Sequence, residues 1–142
     1  VFAEFIARSE GGPAVTAYRN NFRPSPFRDA PWAAIATIAL AADTDAEAVR
    51  LDAPRRASTL ATTLGARRRF PIIPEAQAFL AEHADDPRLI DIEKRSIAGS
   101  AETVRGRLAQ KAADSGADEI FVMASGPTLA SRIRSLELIR PN

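Results

Sequence analysis

The sequence predicts an α/β fold in which parallel strands have helices packed on their outer side. Two apolar segments, 32–42 and 120–124, have the composition of strands buried on both faces, and a third strand is predicted over 1–7. Each strand is followed by a segment with helix-forming signals. This alternation is typical of βαβ units, which build a right-handed parallel sheet.

Length and composition predict one structural unit over residues 1–142 and exclude several functional classes. The 19 basic and 18 acidic side chains give a net charge of +1, without the basic excess of a dedicated nucleic-acid binder. The absence of cysteine excludes a disulfide scaffold, a thiolate metal site and a cysteine nucleophile. The single histidine, His83, leaves little for a metal site or a Ser-His-Asp triad, so we predict no metal.

No segment has the pattern of a membrane span or of a targeting signal. The longest apolar run, 32–42, is too short to cross a bilayer. No basic region precedes an apolar one as in a signal peptide. We therefore expect a cytoplasmic protein that does not associate with membranes.

Capping residues predict where the central helices begin and end. Thr44 and Glu47 have the spacing of a capping box and open a helix that should end at Gly65. Pro54 lies inside this helix and is expected to kink or split it. A short helix is predicted over 75–83, followed by a polar, irregular segment at 84–95.

The last two predicted helices flank the strand at 120–124. Ser100 is a good N-cap for a helix that ends at Gly116. In the final helix, Leu129, Ile133 and Leu136 are predicted to face inward. Three strands are few for a parallel sheet, which suggests part of a larger sheet or barrel.

Five segments, in the same order and spacing, resemble one enzyme family. The segments are 18–25 (YRNNFRPS), 41–48 (AADTDAEA), 97–105 (IAGSAETVR), 116–122 (GADEIFV) and 132–138 (RIRSLEL). Together they resemble luciferase-like flavin-dependent monooxygenases, the bacterial luciferase-like family. Each motif alone is weak, and their order makes the resemblance fairly specific.

The resemblance implies a fold and a chemistry. The chain would be the C-terminal part of a TIM-like (β/α)8 barrel, namely strands six to eight, with about 53–115 as a helical insertion between the last two strands. Members of this family oxidise a small organic substrate with O2 and reduced FMN, or a deazaflavin, and a flavin reductase is a possible partner. The protein positions the flavin and excludes water.

Active sites of such barrels lie at the carboxyl ends of the strands. Among the residues at the strand ends, we take five as pocket candidates: Glu4, Phe5, Ile6, Met123 and Ser125. The serines that hold the flavin phosphate in the family would precede the segment that matches Val1, and this chain lacks them. We therefore assign no catalytic residue and expect the chain alone to be inactive.

Two of the candidate features have a simpler structural explanation. An apolar setting could raise the pKa of Glu4 and make it an acid or base, but we favour a salt-bridged or solvated carboxylate. The Gly99-Ser100 pair at a helix start could hold a phosphate, but we favour a plain helix cap.

Two other functional classes remain open at this stage. The chain could be a non-catalytic, shortened homologue that binds flavin loosely or acts as a scaffold subunit, or a stand-alone α/β module unrelated to luciferases. Exposed sheet edges would favour a homo-oligomer or association with the missing part of a barrel.

Overall fold

The computed structural model of the chain describes residues 1–7, 10–66 and 69–140. Its strands are β1 (Phe2–Ala3), β2 (Ala34–Ala42), β3 (Ser96–Ser100) and β4 (Glu119–Ala124). Its helices are α1 (Glu4–Ala7), α2 (Gly11–Asn21), α3 (Asp45–Thr63), α4 (Ile73–Glu82), α5 (Pro87–Lys94), α6 (Ala101–Ser115) and α7 (Leu129–Ile139). None of the helices in these ranges is long and apolar enough to span a bilayer.

Strand β2 is the centre of the sheet, and all of the strand pairings with it are parallel. Strand β4 pairs with 34–39 of β2. Strand β1 pairs with 35–36 and β3 with 38–42. Because β4 overlaps both of these registers, β1 and β3 must share the opposite edge of β2, one after the other.

The predicted architecture, strands six to eight of a TIM-like (β/α)8 barrel, is wrong. The chain forms a small α/β domain around an open four-stranded parallel sheet. Strand β3 lies inside the range 53–115 that was predicted as a helical insertion, so that range is not wholly helical. Its composition, SIAGS, has little intrinsic strand preference, and pairing with β2 and burial of Ile97 determine its structure.

The predicted strand over 1–7 is only two residues long. After Ala3 the chain turns into α1, and the carboxylate of Glu4 accepts hydrogen bonds from the Gly11 amide at 2.9 Å and from Lys111 at 2.7 Å. Gly11 lies so close to β2 that a Cβ there would come within 2.6 Å of the Ile35 side chain. These contacts draw the chain away from the sheet edge.

The predicted helix caps are confirmed. Thr44 accepts a hydrogen bond from the Glu47 amide at 3.1 Å, and Ser100 accepts one from the Thr103 amide at 3.3 Å. Gly116 adopts φ = 65° after α6, a left-handed conformation that glycine reaches without strain.

Two findings about α3 and α5 correct the predicted helices. Helix α3 continues through the buried Pro54, so the predicted split does not occur. The segment 84–95, predicted as irregular, contains α5, which Asp86 caps by accepting from the Arg88 amide at 2.9 Å. The Arg88 side chain, also bonded to Asp86, lowers the pKa of that carboxyl to about 2.

Helices cover the two faces of the sheet unequally. One face packs against α2, α6 and α7 through two apolar clusters, which contain residues such as Ile35, Ala39 and Ile97. Helix α3 lies on the other face. Its Arg55 donates a hydrogen bond to the Ser96 hydroxyl at 2.5 Å, and Ser96 lies on the same face of the sheet as its ladder partner Ile38.

Helix α7 is rotated from its predicted orientation. Leu129, Ile133 and Leu136 were predicted to face inward, but they are 68%, 50% and 49% exposed. The buried residue is Ser135, whose hydroxyl accepts a hydrogen bond from the Ala41 amide at 2.8 Å. This bond caps β2 just beyond the end of its pairing with β4 and fixes which side of α7 meets the sheet.

Asp118 joins three parts of the fold ahead of β4. Its carboxylate accepts hydrogen bonds from the Ala33 amide and from Arg19 of α2, both at 2.7 Å. The Ala33 amide and the Arg19 guanidinium lower the pKa of this carboxyl below 3.8.

We expect Asp118→Asn to remove a pH dependence of stability. A carboxyl with a lowered folded-state pKa stabilises the fold above the unfolded-state pKa, and this contribution is lost as the pH falls through the folded-state pKa. We therefore expect the difference in the free energy of unfolding between wild type and variant to be constant above about pH 5 and to shrink from about pH 4 downward. Urea unfolding at a series of pH values measures this difference. Asp85→Asn is the control, because Asp85 is exposed and its side chain forms no hydrogen bond or ion pair with the described residues. A difference that does not change with pH for Asp118→Asn would contradict the assignment.

Candidate functional site

The carboxyl end of β2 is surrounded by polar side chains on the starts of two helices. Asp43 follows the strand and forms an ion pair with Arg134 of α7 at 2.7 Å. Asp45, in the first turn of α3, accepts a hydrogen bond from the Ser100 amide at 2.6 Å. That amide, together with the Thr103 hydroxyl, lowers the pKa of the Asp45 carboxyl.

The start of α6 is therefore already bonded to an anion from within the chain. The Asp45 carboxylate approaches so closely that a Cβ on Gly99 would lie 2.8 Å from its oxygen. The Ser100 hydroxyl also accepts from the Thr103 amide. In this structure Gly99-Ser100 serves as a helix start held by Asp45, which agrees with the plain cap that we favoured over a phosphate site.

An uncovered part of the sheet lies between β2 and β4. We call it the open face and define it by Ala36, Ile38, Phe121 and Met123. The ladder pairs Ala36 with Phe121 and Ile38 with Met123, so the four side chains are on one side of the sheet. Phe121 and Met123 are 48% and 46% exposed. The open face is thus an apolar platform whose two side chains from β4 are half-exposed.

A buried hydroxyl lies at the carboxyl end of this platform. Ser125 follows β4, and its amide donates to the Ala39 carbonyl at 3.0 Å. Its side-chain oxygen is buried and has no hydrogen-bond partner among the residues that the structure describes. A buried hydroxyl without a partner is costly, so it stands out as an unsatisfied polar group at this end of the sheet.

Glu4 lies in a different place, on the opposite edge of β2. It lines a groove of about 620 Å³ at the junction of α1, α2, α5, β3 and α6. Its two carboxylate oxygens are occupied by the Gly11 amide and Lys111, and the residue is 8% exposed. This geometry matches the salt-bridged alternative rather than a free acid or base.

The five predicted pocket residues are not brought together. Met123 and Ser125 adjoin one another at the open face, whereas Glu4 lines the groove across β2. Phe5 is half-buried and Ile6 is 73% exposed, and neither is among the residues that line the groove. Both lie in α1, because the predicted strand ends before them.

Sequence analysis missed the partners of Met123 on the open face. Phe121 precedes Met123 by two residues, so strand alternation alone would have placed both on one side. Ala36 and Ile38 could not be found in this way, because their position opposite β4 depends on the register.

A second cleft lies away from the open face and from the groove beside Glu4. A cleft of about 460 Å³ between α3 and α4 has Ala57, Ala61 and Phe79 in its lining, with the Arg69–Glu75 ion pair at 2.5 Å beside it. None of the predicted site residues lines this cleft. Within the described ranges, no three His, Asp or Glu side chains converge in a way that could hold a metal ion.

Comparisons with known proteins support the fold and leave the activity open. No protein-family profile matches the chain. The Bacillus subtilis (strain 168) protein YwcH, described as uncharacterized, is 30% identical over 146 residues, which cover 99% of this chain and 42% of YwcH. YceB of the same organism, also described as uncharacterized, is 31% identical over 125 residues, covering 88% of this chain and 38% of YceB.

A solved structure is similar over almost the whole chain. The crystal structure of apo-MsnO8 matches with a TM-score of 0.81 at 28% identity, covering 96% of this chain and 42% of that one. The chain thus spans about two fifths of the length of the proteins that it matches.

We expect Ser135→Ala to destabilise the fold and Ser125→Ala not to. Removing the Ser135 hydroxyl leaves the buried Ala41 amide without an acceptor, which should lower the free energy of unfolding by about 1–3 kcal/mol. Removing the unpartnered Ser125 hydroxyl should leave it unchanged or raise it. Urea unfolding of both variants measures this, and a loss at Ser125 as large as at Ser135 would show that its hydroxyl is already satisfied.

Proposed function

We propose that this chain is part of a flavin-dependent monooxygenase related to the luciferase-like family. It would use reduced FMN or a deazaflavin, together with O2, on a small organic substrate. The observation that supports this most directly is the open face, where the apolar side chains of Phe121 and Met123 lie beside the unpartnered hydroxyl of Ser125. The five sequence segments that resemble the family add to this support.

The open face suits the ring system of a flavin. That ring is planar, with apolar faces and a rim of hydrogen-bonding atoms. Ile38, Phe121 and Met123 would pack against one face and exclude water from it, and the Ser125 hydroxyl would bond the rim. When bound, the reduced flavin supplies the reaction with O2, and the chain's residues supply position and water exclusion.

Two basic side chains near this face are not free to bind the phosphate of FMN. Arg55, which reaches Ser96 of β3, is bound twice by Asp52 at 2.7 Å. Arg134, next to the end of β2, is paired with Asp43. Both cations are already neutralised, so we propose that phosphate recognition is supplied by polypeptide outside this chain.

A reaction that consumes reduced flavin needs an enzyme that supplies it, so we propose a flavin reductase as partner. We also propose the cytoplasm as the location. The second candidate function, a non-catalytic flavin-binding or scaffold subunit, is favoured by the uncovered edge of β4, which would suit a partner.

We expect the chain to bind FMN and riboflavin with equal, weak affinity, because only the ring contacts it. Fluorescence titration should give dissociation constants for the two flavins within about threefold of each other, a difference under 1 kcal/mol. Met123→Asp should weaken both about tenfold, since it places a charge under the ring. Ile90→Asp, at a 59% exposed position on α5, is the matched control.

Two results would contradict this assignment. If neither flavin binds, the open face does not hold the ring, and the scaffold function becomes the better proposal. If FMN binds more than about tenfold tighter than riboflavin, the chain holds the phosphate itself and the inferred division of the site is wrong.

We also expect the 142-residue chain to be inactive by itself. Oxygen uptake with photochemically reduced FMN should be no faster with the chain than in buffer, because the phosphate is not anchored. A rate above that of free flavin that Ser125→Ala abolishes would show that the chain is catalytically sufficient.

A further inference from the structure

A buried carboxylate of α3 holds an arginine against the sheet. Asp52 is 3% exposed, and its two oxygens accept hydrogen bonds from Nε and Nη2 of Arg55, both at 2.7 Å. Nη2 also donates to the Ser96 hydroxyl at 2.5 Å. Three bonds to two buried partners leave the planar guanidinium little freedom to rotate.

The strand register places this arginine beside the open face. Ser96 pairs with Ile38 of β2, and Ile38 pairs with Met123 of β4. The three side chains therefore form one row across three strands on one side of the sheet, and the row is about 10 Å long. Met123 lies at one end of the row, and Arg55 is bonded to Ser96 at the other end.

One terminal nitrogen of the Arg55 guanidinium is not used by these bonds. Nη1 forms no hydrogen bond within the part of the chain that the structure describes, and it is not buried. The side chain as a whole is 17% exposed. Of the five N–H donors of an arginine, Nη1 carries two. Arg55 therefore presents two N–H donors that are held in place by bonds made elsewhere on the same group.

The network around Asp52 carries no net charge. Arg56, the next residue along α3, forms an ion pair with Glu93 of α5 at 2.6 Å and lies 3.8 Å from the Asp52 carboxylate. Two arginines are thus balanced by two carboxylates. The donors on Nη1 of Arg55 therefore suit an uncharged carbonyl oxygen better than a phosphate, because the positive charge of Arg55 is already compensated.

We propose that Arg55 determines the orientation of the flavin ring on the open face and that Asp52 is the positioning residue that holds Arg55 there. This inference rests on the proposed function. One end of the FMN ring system carries two carbonyl oxygens, and the opposite end carries two methyl groups. Nη1 of Arg55 donates to a carbonyl oxygen, so the carbonyl end lies toward β3 and the methyl end toward Phe121 and Met123. The ring then lies along the row of side chains that Arg55 ends.

Infrared difference spectroscopy of riboflavin bound to the chain tests the proposal, because a hydrogen bond to a carbonyl oxygen lowers the stretching frequency of that carbonyl. Riboflavin labelled with ¹³C at either carbonyl carbon assigns each band. The Asp52→Leu/Arg55→Met variant removes both partners of the buried pair, which avoids leaving an unpaired charge. We expect one carbonyl band to move to higher frequency in this variant, and riboflavin to bind about threefold to tenfold more weakly.

Two further variants separate contact with the ring from a structural role. Arg56→Met is the matched control, because Arg56 is also 17% exposed and belongs to the same network but reaches α5 instead of the sheet. It should change neither the carbonyl bands nor the affinity. Asp52→Asn keeps Arg55 and offers it a single acceptor oxygen, so the same carbonyl band should broaden and move part of the way. Circular dichroism and urea unfolding check that each variant is folded.

The outcomes distinguish this proposal from the proposed function. If Met123→Asp weakens riboflavin binding but Asp52→Leu/Arg55→Met alters neither affinity nor carbonyl bands, the ring lies on the open face without Arg55, and only the present proposal is overturned. An equal change in Arg56→Met would also overturn it, since the effect would then belong to the network as a whole. A wild-type chain that binds no riboflavin would overturn both.

Discussion

Every strand pairing in this structure is made with β2, so the burial of this one strand is the constraint on which the other elements depend. Seven of its nine residues are buried, and most of its side chains are alanines, which lets α3, α6 and β3 approach its backbone closely. The same smallness limits how much apolar area each contact removes from water. The fold therefore relies on polar bonds at the ends of β2 as well as on its core.

Those polar bonds satisfy backbone groups that the ladder leaves open. Ahead of β2, the Asp118 carboxylate accepts a hydrogen bond from the Ala33 amide. At the carboxyl end of β2, the Ser135 hydroxyl accepts one from the Ala41 amide. The Asp45 carboxylate accepts one from the Ser100 amide at the end of β3. Each acceptor comes from an element distant in sequence, so each bond also fixes the position of that element. Unpaired backbone groups are costly in a buried sheet, which makes these three side chains structural.

The sequence by itself determined the α/β class, the buried β2 and the helix starts at Thr44 and Ser100, because these depend on local composition and capping. Only the tertiary structure decided that β3 is a strand and that α7 turns Ser135 rather than Leu136 toward the sheet. It also decided that Glu4 is salt-bridged, since each depends on contacts between residues far apart in sequence. Two of the five residues of the candidate site, Met123 and Ser125, were predictable because they follow from strand order, whereas Ile38 joins them only through the register.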